Sequence, residues 1–115
     1  MIGKKSSKKY SFESYFEAVD FFYDQGWTDG LPIVPPTPDL VSEMLGTTDL
    51  SSSHIIGLEP VKGREISVEK VAINTVMAGC HPKFFPVVIA AVKALVQPEF
   101  NLHAITASTM GSAVL

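Results

Sequence analysis

Ser67-Val68-Glu69-Lys70-Val71-Ala72-Ile73-Asn74-Thr75-Val76-Met77-Ala78-Gly79-Cys80-His81-Pro82 is the stretch on which the architecture turns. Val68, Val71, Ala72, Val76 and Met77 recur at helical spacing, Ser67 stands where an N-cap is needed, and Gly79 supplies a left-handed stop. Cys80-His81-Pro82 then turns a corner. A second helix follows through Phe84, Phe85, Val87, Val88, Ala91, Leu95 and Val96, and Pro86 fits it because a first-turn N–H has no intrahelical partner to lose. Val87 to Val92 is apolar on almost every side, so the helix from Lys83 to Val96 is expected to sit centrally, covered by several neighbours.

Upstream, Phe12, Tyr15, Phe16, Val19, Phe22 and Tyr23 step by threes and fours, with Glu13, Glu17, Asp20 and Asp24 on the opposite face. This spacing predicts an amphipathic helix capped by Ser11 and closed by Gly26, its aromatic stripe buried in the core. Pro32, Pro35, Pro36 and Pro38 then exclude a helix in the middle of the following segment, because each removes a donor and restricts the residue before it. An extended, stiff connector is expected from Trp27. Thr37 and Pro38 cap and open a short helix through Leu40, Val41, Met44 and Leu45, which Gly46 ends. Ile55, Ile56 and Leu58 read as a brief strand limited by Gly57 and Pro60.

Downstream, Leu102 to Thr109 alternates as a strand, and Ser112 to Leu115 reads as the start of another. The fold class is therefore α/β or α+β, helix-rich with short strands. The unfinished last strand makes the chain read as the amino-terminal part of an incomplete domain. Residues 11–115 form one domain, and residues 1–10 a basic, disordered leader.

Composition narrows the function classes. The chain has 115 residues, 46% hydrophobic and 18% charged, which suits a folded domain rather than a disordered one. Lys4, Lys5, Lys8 and Lys9 hold four of the nine basic residues, leaving five against twelve acidic ones beyond residue 10. That acidic balance disfavours nucleic acid, whose binders need a basic face against phosphate. No apolar run is long enough to span a membrane, and no secretory signal opens the chain, so a soluble cytoplasmic protein without a membrane partner is expected. A single cysteine excludes an internal disulfide and a four-cysteine zinc site.

Three segments carry residues with chemical potential. Cys80, close to the start of the next helix, would feel unpaired N–H groups that favour a thiolate, with His81 placed to assist; the competing reading is a small buried hydrophobe. Trp27, Thr28 and Asp29 set an aromatic ring, a hydroxyl and an acid before rigid backbone, where Asp29 can bind an amine or act as a base; an Asp-Gly turn explains the same residues without function. Asn101 and His103 give a third polar point on the predicted strand, but no ligand spacing supports a metal.

Gly26 to Thr37, Val68 to Cys80, Pro86-Val87-Val88 and Phe100-Asn101-Leu102-His103 together resemble the amino-terminal region of the bacterial UGSC-family (seleno)proteins. That family is named for a selenocysteine-or-cysteine, Gly, Ser, Cys motif. The naming motif is absent from this chain, so the resemblance carries redox chemistry onto none of its residues. Asp29, Asn74, Cys80, His81, Asn101 and His103 fall in the matching segments. The first expectation is a small-molecule enzyme, thiol- or selenol-linked, with Cys80, His81, Asp29 and His103 catalytic and Trp27, Thr28, Asn74 and Asn101 binding substrate. No pattern names a cofactor. The rival is a noncatalytic oligomerisation or interaction module in which Cys80 is packing; a homo-oligomer or a missing carboxyl-terminal region would complete the core in either case.

Overall fold

A computed structural model describes residues 7–97. Their elements run α1 (Tyr15–Asp24), α2 (Pro38–Leu45), β1 (Ile55–Leu58), β2 (Glu65–Ser67), α3 (Val68–Met77), a single 3-10 turn (Pro82–Phe84) and α4 (Phe85–Leu95). Helices predominate, and β1 and β2 pair as an antiparallel hairpin, so the described part is α+β. The predicted strand at 102–109, with Asn101 and His103, lies outside the described residues.

The caps explain the helix boundaries. The Thr37 side chain accepts from Leu40 N, and that of Ser67 from Lys70 N, each satisfying a donor the helix leaves open. Pro38 occupies the first turn of α2. In α1 the cap is Ser14, not Ser11: its hydroxyl accepts from Glu17 N at 3.2 Å. Glu17 reaches back to Glu13 N at 3.0 Å, a local closure related to the capping box that places the start three residues later than hydrophobic spacing suggests. Glu17, rather than Glu13, thereby sits at the positive end of the dipole.

The core joins Val41, Met44 and Leu45 of α2, Val68, Val71, Ala72 and Val76 of α3, and Phe85 and Ile89 of α4. Phe85, with no exposed surface, is the largest side chain sealed here. Its burial contributes roughly 1.5–3 kcal/mol. α3 is the central helix, with six of its ten residues buried. The central placement expected of α4 is corrected: it buries only Phe85 and Ile89, and Val87 is 66% exposed. An all-apolar sequence shows that a helix can be covered all round without naming what covers it.

The aromatic stripe of α1 is likewise not core. Only Ala18 and Phe22 are buried, while Tyr15, Tyr23 and Phe16 are exposed. Its rings meet the chain's own flanks: Phe21 packs 5.0 Å from Tyr10 and 5.2 Å from Phe12, and Phe22 lies 5.2 Å from Trp27. This satellite cluster, separate from the main core, holds the connector in place. Ser7, within the segment expected to be a free leader, donates its N–H to Glu69 and accepts from Lys70 Nζ, both at 3.0 Å.

The register of the hairpin slips between Ile55 and Gly57, giving a bulge. An added Cβ on Gly57 would lie 2.6 Å from Val96 Cγ2, so glycine permits the end of α4 to approach the sheet.

Candidate functional site

The connector from Trp27 to Thr37 runs beside α3 and is tied to its end, where Val34 N donates to Met77 O at 3.1 Å. Tyr15 holds it from the other side by donating to Ile33 O at 3.1 Å. Two open grooves of about 510 Å³ each result. One lies between the hairpin, α3 and α4, with Ile66, Val71, Val88 and Val92 as apolar wall and Lys70 and Cys80 at its margins. The other is floored by Trp27, Thr28, Asp29, Leu31, Pro32 and Ile33. Asn74 and Ala78 line both, so a single edge of α3 separates the two grooves.

Two of the three expected segments thus meet, although not around one cavity. Trp27, Thr28 and Asp29 share a groove with Asn74; Cys80 opens into the neighbouring one. Asn101 and His103 lie outside the described residues. His81 lines neither groove.

Local bonding decides what each residue is free to do. The Thr28 hydroxyl donates to Leu31 O at 3.0 Å and accepts from Gly30 N at 3.3 Å, while Asp29 Oδ1 accepts from Leu31 N at 3.2 Å. This is the Asp-Gly turn, with Gly30 at φ +107° and the Tyr23 ring packed over it. The turn fixes both side chains and still presents them in the groove. Trp27, 45% exposed, is braced by Phe21, Phe22 and Tyr10. Asn74 donates to Lys70 O at 2.8 Å, which leaves its amide oxygen as the polar point on the shared edge.

Cys80 is half-buried and free. Among the described residues its thiol has one hydrogen-bonding partner, His81 O at 3.7 Å. The expected helix N-terminus is not available to it: Pro82 has no N–H, Lys83 N donates to His81 Nδ1 at 3.2 Å, and Phe84 N donates to His81 O. His81 is therefore a cap, its Nδ1 accepting from Lys83 N and its ring against Phe84. Among the described residues no cluster of three His, Cys, Asp or Glu side chains could hold a metal, and no helix is long and apolar enough to cross a membrane.

Sequence reasoning missed Lys70 and the apolar wall Ile66, Val71, Val88 and Val92. A signal for the first was present: Lys70, Asn74 and Ala78 follow one another at four-residue steps and so share one helix edge. Set against protein-family models, curated proteins and solved structures, the chain matches none.

Proposed function

We propose that this chain binds a small molecule along the Asn74–Ala78 edge of α3, as part of a cytoplasmic small-molecule enzyme akin to the UGSC-family proteins. The supporting observation is that the Trp27–Ile33 segment, remote in sequence, and Cys80 line grooves on the two sides of the Asn74–Ala78 edge. An apolar wall with a few polar groups at fixed positions suits recognition of a mainly apolar molecule with one or two polar handles. Cys80 stands at the margin of that wall as an anchor or a nucleophile. Nucleophilic work needs a base to take the thiol proton, and among the described residues Sγ faces a carbonyl instead.

Disulfide tethering at Cys80 tests this reading. A series of thiol-bearing fragments under mildly reducing exchange is expected to be selected by fragment, apolar bodies being retained over polar ones of equal size, and Ile66→Asp is expected to erase the preference. Equal capture of every fragment, or capture only after unfolding, would refute a binding groove beside the thiol.

A second reading has its own support. Val87 is 66% exposed and Phe84 49% exposed on or beside a helix whose one charged residue is Lys93, a surface suited to a second copy of the chain. Sedimentation would then show a dimer that Val87→Glu dissociates; a monomer at all concentrations would dismiss it.

A further inference from the structure

Among the described residues, the groove over the Asp29 turn is lined with one sign of charge. Asp29 is among its lining residues, and among the described residues no lysine or arginine is. Two helices end at its rim. α1 runs through Gly26 into Trp27, and the last turn of α3 supplies Met77 and Ala78 on the facing side. Neither helix carries a basic residue in its last turn, so the negative end of each dipole faces the groove without a cation from its own last turn to offset it. Asp29 gives one oxygen to Leu31 N and keeps the other without a partner among the described residues. Beside it stands the Trp27 indole, the side chain best suited to hold a cation against its ring. Leu31, Pro32, Ile33 and Met77 add apolar surface.

From this arrangement we infer that the groove takes an organic cation, an ammonium head on a short apolar body. The head lies between the free Asp29 oxygen and Trp27, and the body lies along Pro32, Ile33 and Met77. A metal ion is a poor fit, because the single carboxylate among the described residues falls well short of the oxygen set that hard cations take. The inference names the ligand class for one of the two grooves and rests on the small-molecule reading above.

Trp27, the chain's one tryptophan, reports on its own site. Its fluorescence is followed while the full chain is titrated separately with isopentylammonium, 3-methylbutan-1-ol and 4-methylpentanoate, which share an apolar body and differ in charge. Isopentylammonium is expected to saturate the signal, with the alcohol about tenfold weaker and the carboxylate weaker still. Asp29→Asn keeps the turn, since an amide oxygen also accepts from Leu31 N, and is expected to bring the ammonium down to the level of the alcohol. Salt gives a second measurement on the unaltered chain: raising it is expected to weaken the ammonium and leave the alcohol unchanged. Equal affinity for ammonium and alcohol, or an ammonium affinity indifferent to salt, would overturn the charge preference while leaving a small-molecule groove standing. No saturable change with any of the three would overturn the groove as well.

Discussion

Replacing Gly57 by alanine sets a methyl 2.6 Å from Val96 Cγ2 and 3.5 Å from Val96 Cβ. Carbon atoms in contact prefer about 3.5–4.0 Å, so the two groups overlap by roughly an ångström. Val96 has little room to yield, because a β-branched side chain in or next to a helix is held close to one rotamer. Overpacking of this size costs about 1–3 kcal/mol, against which the lower entropy of an alanine in the unfolded chain returns about 0.4–1 kcal/mol. The expected net loss is about 0–2.6 kcal/mol, centred near 1. Val96→Ala removes the offending methyl, so in that background Gly57→Ala is expected to cost nothing or to stabilise. Urea unfolding of the four chains, followed by far-UV circular dichroism, gives the coupling energy directly. If Gly57→Ala costs the same with and without the Val96 side chain, the close approach of α4 to the bulge is not what glycine serves.

Two further outcomes follow from the same bonding. Ser67→Ala removes the oxygen that accepts from Lys70 N at the start of α3 and is expected to lower stability by about 1 kcal/mol, whereas Ser11→Ala, outside α1, is expected to change it by less than a few tenths, both read as shifts in the urea midpoint. Glu59, whose carboxylate accepts from Val61 N and Lys62 N in the hairpin loop, is held below the ordinary value of 4.5 chiefly by those two bonds. Because its folded value is depressed, its contribution is present above that ordinary value and is lost as pH falls through the folded one. Glu59→Gln is therefore expected to flatten the acid limb of the stability profile; an unchanged profile would contradict the loop geometry.

What could be read from the residues depended on whether the cause was local. Thr37-Pro38, Ser67 and Gly79 announce helix ends through their own hydrogen-bonding and dihedral properties, and the structure places them there; Gly46 also ends α2, but at φ −65°, which needs no glycine. β2 was not legible, because Glu65-Ile66-Ser67 is too short for alternation to register and exists by pairing with β1. The burial of α1 and α4 failed for the same kind of reason. Helical spacing states which residues share a face, while only the tertiary arrangement decides that α1 meets Tyr10, Phe12 and Trp27 and that α3, not α4, lies at the centre. At the site, the chemistry of the Asp29-Gly30 turn was readable from two residues. The use of His81 as a cap was not, since it depends on Lys83 N finding no carbonyl across the proline.

The proposed site requires Trp27 and Cys80 to flank one edge of α3, and each is the only residue of its type in the chain. A small fluorophore quenched by tryptophan at short range, such as bimane, attached to Cys80, measures that placement directly. The arrangement predicts a dimmer, shorter-lived emission in the native chain than in its Trp27→Phe variant, with the difference vanishing in urea. Identical native emission from the two chains would separate the thiol from the tryptophan, and with them the two halves of the proposed site.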